Sequence, residues 1–253
     1  MIKLVDFPLV FFVVSLAILS LSARIGIAFA LRLRPVKEDE RDDLLLVINA
    51  SLTLLALLIG FTFSMAVSRY DQRKNYEEQE ANAIGTEYVR TDLLPEADAS
   101  EVRHWLIQYL NQRLLFYTVR DPHQREVVNN ETAKLQAKMW SAVQGVTGTQ
   151  PPPIAVLTLS GMNDVLNSQG YTQAAWLNRI PVEAWSLMAM LAICCCLLTS
   201  YPAHRSSFLL LGILPFLVSI AFFLIADIDS PRRGVVRVSP QNLIILSQSL
   251  HEH

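Results

Sequence analysis

Apolar residues are gathered into four long runs, and the stretches between them are polar and mixed in charge. The runs extend from about Phe7 to Phe29, from Leu44 to Val67, from about Val182 to Leu198 and from Phe208 to Ala226, each bounded by charge or proline. A hydrocarbon core of about 30 Å takes roughly 20 apolar residues in helical form, and a helix is the open-chain structure that satisfies its own backbone where water is absent. The pattern therefore predicts four transmembrane helices. Between the second and third lies a polar insert with its own helical periodicity.

No proline separates Val67 from Leu94, so the second span is predicted to continue out of the membrane as one long helix that stops before Pro95. Ser100 reads as the cap of a second helix through Trp105, Tyr109 and Phe116, and Asp121 followed by Pro122 as the start of a third ending near Gly145 to Gly148. After Pro151, Pro152 and Pro153, Ile154 to Leu166 has the spacing of a fourth, shorter helix. Strand signals are absent from this pattern. The expected architecture is all-α: spans one and two over 1–67, a helical insert over 68–181, spans three and four over 182–226 and a tail over 227–253.

Composition agrees with a membrane protein: 253 residues, 52% hydrophobic and 17% charged, with a formal net charge of -2. There is no basic excess to hold a phosphate backbone, so nucleic acid is not an expected partner. Within 68–181 the 11 Lys and Arg stand against 13 Asp and Glu, a near-neutral balance that suits an interaction or support domain. No glycine-rich phosphate loop, Cys-x-x-Cys, His-Glu-x-x-His or Gly-x-Ser-x-Gly motif occurs, so neither catalysis nor a metal or cofactor is expected. Cys194, Cys195 and Cys196 are consecutive in an apolar run, where helix geometry turns them about 100° apart and prevents convergence on one metal.

Sidedness follows from Lys and Arg near the span ends. Lys3, Arg69, Arg73, Lys74, Arg179, Arg232, Arg233 and Arg237 fall on the side of the insert, against Arg32, Arg34, Lys37, Arg41 and Arg205 on the other. That balance puts the insert and both termini in the cytoplasm and the chain in the inner (plasma) membrane.

The second span carries the most information. Asn49, Thr53, Gly60, Ser64 and Ser68 recur at intervals of four, seven, four and four, which aligns them on one helical stripe. A polar and small stripe in a membrane helix faces protein or water rather than lipid. It fits close packing in a bundle, and it fits the wall of a permeation path made by several copies. Ile59 and Phe63, one turn apart beside Gly60, are apolar enough to form a constriction that gates by dewetting in an oligomer, or to serve as ordinary core or lipid-facing residues in a single chain. Ser68, Arg69, Arg73 and Lys74 then form a cationic collar at the cytoplasmic edge, which reads equally as a positive-inside anchor. Gly85, inside a predicted helix, suggests a close backbone contact, or else a solvent-exposed position where its cost is tolerated.

Several of these segments carry a resemblance. Gly60 with Phe61, the collar at Ser68, Arg69 and Tyr70, the stretch Glu80 to Thr86, Asp92 to Pro95, Asn163 with Asp164, Arg179 to Pro181, and Asp227 to Pro231 with Gly234 look like a bacterial membrane family described as bestrophin-like. The likeness spans nearly the whole chain, departing at Asn167 to Tyr171, where a charged helical run is expected instead. More distantly the chain resembles the bestrophin anion channels. That likeness implies a homo-oligomer, a pentamer, passing inorganic ions such as chloride, with span two lining the pore and Ile59 and Phe63 at its neck. No acidic calcium clasp is present, so calcium gating is not implied. The competing expectation is a non-conducting membrane scaffold or sensor whose insert binds a protein partner.

Overall fold

Proline punctuates the chain. Its ring fixes φ near the helical value and its missing N–H is not needed in a first turn, so it starts helices well and continues them badly. In the computed structural model, which describes residues 4–32, 38–147, 150–201 and 208–251, α1 begins at Pro8 and α4 at Pro122, while Pro95, Pro151 and Pro181 stand at the N-caps of α3, α5 and α6. The helices are α1 (Pro8–Arg32), α2 (Glu38–Arg90), α3 (Glu96–Thr118), α4 (Pro122–Thr147), α5 (Pro152–Leu177), α6 (Val182–Ser200), α7 (Phe208–Asp229) and α8 (Gln241–His251). Among the described residues there is no strand.

Four helical stretches are long and apolar enough to cross a membrane, at Pro8–Ala30, Glu40–Leu93, Pro152–Ser200 and Leu211–Asp229. The second belongs to α2, a 53-residue helix followed by a 3-10 turn at Thr91–Leu93, and the third takes in α5 and α6. Two expected boundaries move. Ser100 does not cap α3, which starts at Glu96; the Ser100 hydroxyl donates back to the Ala97 carbonyl, and Pro95 with Glu96 and Asp98 in the first turn supplies the start signal. Helix α5 does not stop near Leu166 but runs to Leu177, because Val165, Ser168, Thr172, Ala175 and Trp176 continue its buried face past Gly170.

The chain divides into two compact units. The first comprises Met1–Tyr70 and Arg179–Arg237. Its core joins Leu19 and Ala23 of α1, Leu55 and Ala66 of α2, Met188 and Ala192 of α6, and Phe222 and Ile225 of α7. Helix α1 packs against both α6 and α7. At Gly26 an added Cβ would lie 2.6 Å from the Leu197 carbonyl oxygen and 3.0 Å from Ser200 Cβ, so α1 and α6 approach as closely as they do because that residue has no side chain. Phe11, Trp185 and Phe222 meet edge to face and stacked in the same core.

The second unit comprises Asp71–Asn178 and Val238–His253. Ile84, Val102, Leu106, Tyr109, Met139, Val143, Met162 and Leu243 fill its centre. The 227–253 tail is thus divided: residues up to Arg237 belong to the first unit, and α8 packs into the second. Gly85 meets α8, with an added Cβ 3.1 Å from Leu246 Cδ1, and both carboxylate oxygens of Glu77 receive hydrogen bonds at the start of α8, from Leu243 N (3.0 Å) and Asn242 Nδ2 (2.7 Å).

Candidate functional site

From Ile48 onward, one face of α2 is buried. Ile48, Leu55, Thr62 and Ala66 are buried in the membrane half, and the same face continues through Arg73, Glu77, Glu80, Ile84 and Glu87. The stripe singled out by spacing lies opposite. Asn49, Thr53, Gly60, Ser64 and Ser68 are all exposed in the single chain, and a Cβ added at Gly60 would meet nothing within 4 Å. The Thr53 hydroxyl satisfies itself on the Asn49 carbonyl at 2.8 Å. On the next arc of the helix stand Val47, Leu54, Phe61 and Met65, exposed and apolar, as suits a lipid-facing side.

Ile59 and Phe63 do not lie on that stripe. Ile59 is half-buried against the first unit's core, and Phe63 is 41% exposed on its flank. With Ala56 and Gly60 they form one wall of an apolar groove of about 410 Å³, whose other wall is α7 at Leu217 and Ala221. The spacing of four that joins them is also the spacing that turns them toward α7.

The four collar residues divide likewise. Ser68 and Lys74 are exposed. Arg69 lies toward the core side, its Nη1 3.8 Å from Asp229 Oδ1. Arg73 is 1% exposed and donates to the Ala175 carbonyl of α5 at 3.4 Å within the second unit. Within one chain the cations therefore do not stand together on one exposed face. Lys3, Arg34, Lys37 and Arg205, counted for sidedness, lie outside the described residues.

At the end of α7 two buried aspartates organise the first unit, a role that periodicity does not reveal. Asp229 accepts from Arg179 Nε at 2.9 Å and from the Ile180 amide at 3.3 Å, while Arg179 also reaches Asp6 at 3.0 Å. Asp227 accepts from the amides of Val235 (2.7 Å) and Val236 (2.9 Å), which folds the chain back at Gly234, where any Cβ would collide with the Asp227 carbonyl. The segment Asp227 to Gly234 is a backbone clamp.

The second unit holds a buried polar cluster. Glu80 takes both Nε and Nη2 of Arg113 and the Thr172 hydroxyl, with the whole ion pair removed from solvent. Burial opposes the Arg113 charge, and Glu80 with the nearby Tyr109 and Tyr117 outweighs it, so its pKa rises. Burial also drives the pKa values of Tyr109 and Tyr117 upward, reinforced by the charge of Glu80. Two turns further along α2, Glu87 is fully buried with no hydrogen-bond partner on either oxygen. A Cβ at Gly161 of α5 would collide with it, and that glycine inside a helix is the sequence signal for the contact. Among the described residues no three His, Cys, Asp or Glu side chains are grouped to hold a metal.

A helical protein with four membrane-length apolar helices, a long second helix and a second helical unit whose apolar core holds a buried ion pair is defined by these features. The sequence matches the Bestrophin-like domain over residues 14–243, and the chain belongs to that family of membrane proteins. No curated protein matches it in sequence. Among solved structures it is similar to a bacterial Bestrophin homolog from Klebsiella pneumoniae, at 13% identity with a TM-score of 0.63 over 93% of this chain and 98% of that one. A single-residue variant of that homolog gives 12% identity and a TM-score of 0.68 over 95% and 99%. A structure described only as a membrane protein gives 13%, 0.67, 95% and 97%. The shared fold thus spans both units of this chain.

Proposed function

We propose that the chain assembles with copies of itself into a membrane ion channel, with α2 around the axis and the helical insert on the cytoplasmic side. The observation that carries this reading is the outward stripe of α2. Asn49, Thr53, Gly60 and Ser64 point away from the chain's own core, on the helix that supplies the longest candidate span. Polar and small groups at that depth are stable against water or another protein, not against acyl chains. A ring of copies supplies both.

Membership in the Bestrophin-like family supports the reading, and the resemblance to bestrophins set out above adds a pentameric count and anions such as chloride as the permeant class. In such a ring the stripe forms the wall, and Ile59 and Phe63 narrow the path only if assembly turns the α2–α7 groove toward the axis. Ser68 and Lys74 of successive copies are the parts of the collar left facing it, the latter favouring anions at the cytoplasmic mouth. The excess of Lys and Arg on the insert side supports the cytoplasmic placement of the insert and termini in the inner membrane.

Purified protein reconstituted into planar bilayers tests the proposal. Discrete conductance, changed by Ser64→Leu on the stripe and less by Phe61→Leu on the apolar arc, is the expected result. Silent bilayers across voltage, pH and salt from a well-folded, oligomeric sample would overturn it and leave a non-conducting scaffold as the better reading.

A further inference from the structure

In the second unit, α2 and α5 meet at a buried carboxyl without a hydrogen bond. Glu87 has no exposed surface, and both of its oxygens lack a hydrogen-bonding partner. Arg90, one turn along the same helix, stands 3.7 Å from Glu87 Oε2, too far to donate to it, and its Nη1 lies 3.5 Å from the Leu157 carbonyl of α5. The opposing wall is Gly161, where even a methyl group would collide with Glu87 Oε2 and Arg90 Nη1. The backbone of α5 therefore presses directly on the carboxyl. From α5 the charged group that acts on it is Asp164, and from its own helix Arg90. An ionised carboxylate is costly in such a place, whereas a neutral acid is tolerated.

We propose that Glu87 and Arg90 form a proton-operated latch between α2 and α5. With a proton from solvent on the Glu87 carboxyl, Arg90 is left to the Leu157 carbonyl and ties the two helices. When that proton returns to solvent, the carboxylate draws Arg90 onto itself and the tie to α5 is released. Burial pushes the Glu87 pKa up to about 8, the nearby Arg90 charge opposes this and the charge of Asp164 adds to it, so the change falls just above neutrality. This regulation goes beyond ion passage, and its test does not read conductance.

The direction follows from linkage. A carboxyl whose closed-state pKa is above its open-state value stabilises the closed contact fully below the ordinary carboxylate range, and that stabilisation is lost as pH rises through about 8. Hydrogen exchange of the full-length protein in lipid nanodiscs reads this directly in peptides covering Leu157 to Val165. After correction for intrinsic exchange, the opening constant should rise by up to about tenfold per pH unit below the closed-state pKa and level off above it. Glu87→Gln, which keeps the shape and removes the titration, should be flat over the same range. Arg90→Gln should move the plateau to higher pH. A flat wild-type profile, or the same slope in Glu87→Gln, would overturn the latch. A difference infrared titration of the wild type stands apart from any variant: the carbonyl band of a protonated carboxylic acid should fade with a midpoint near pH 8. Absence of such a band at pH values well below that midpoint would equally overturn the proposal.

Discussion

Arg113 is fully buried in the second unit's interior, held by Glu80 on one side and lying over the Phe116 ring at 4.4 Å on the other. Breaking one half of a buried pair leaves an uncompensated charge, which costs far more than replacing both halves with apolar groups. Arg113→Met should therefore destabilise the second unit by about 3–5 kcal/mol, and Glu80→Leu with Arg113→Met together by much less. Thermal unfolding followed by tryptophan fluorescence checks this, and equal losses in the single and double variants would contradict it. The amphipathic period gave no hint of this pair: Glu80 and Arg113 look like solvent-facing charges until the two helices are brought together. Asp227 holds two backbone amides, because a carboxylate beside a tight return of the chain finds amides before it finds a side chain. Asp229 does meet a collar residue, Arg69, within the same chain.

At the scale of elements, hydrophobic run length and proline position predicted the helices well, since both act locally. What they left open was which helix touches which. A glycine in an apolar run such as Gly26 carries no pattern in the sequence; in three dimensions it is a point of close approach between α1 and α6. Gly26→Val should separate those helices and lower the melting temperature of the first unit, with Gly26→Ala intermediate because the Leu197 carbonyl oxygen is backbone and cannot swing aside. Unchanged melting for valine would show that the helices can slide apart without loss. Gly85 differs, because its neighbour is the end of the flexible Leu246 side chain, so Gly85→Ala should be nearly neutral. The anchoring of α8 rests on a different kind of contact. Replacing Glu77 by alanine removes both acceptors at the α8 N-terminus, which should cost about 0.5–2 kcal/mol and raise hydrogen exchange in Leu243 to Leu250 before the rest of the second unit. Simultaneous loosening of the whole unit would show that α8 is not an independent element.

For the molecule as a whole, Gly60 separates a solitary chain from an assembled one. In a single chain it is an exposed helix-interior glycine with open space around its Cα, so alanine there should be free of clashes and should stabilise the helix by up to about 1 kcal/mol. Nothing in the chain's own packing asks for a glycine. If α2 lines a ring of copies, the same position faces a neighbour or a narrow aqueous path, and the absence of a side chain is required by a surface this chain does not itself contain. Gly60→Ala and Gly60→Phe then make opposite statements about the two cases. For the assembled channel, phenylalanine should block conductance or break the oligomer while the melting of the first unit stays intact; for a solitary protein, both variants should melt at or above wild type with no change in mass. Native mass spectrometry beside bilayer recording decides between them. The stripe was legible in the sequence because a period of four and seven survives in any helix. Its outward direction was not, because that depends on Ile48, Leu55, Thr62 and Ala66 turning inward to meet the rest of the core.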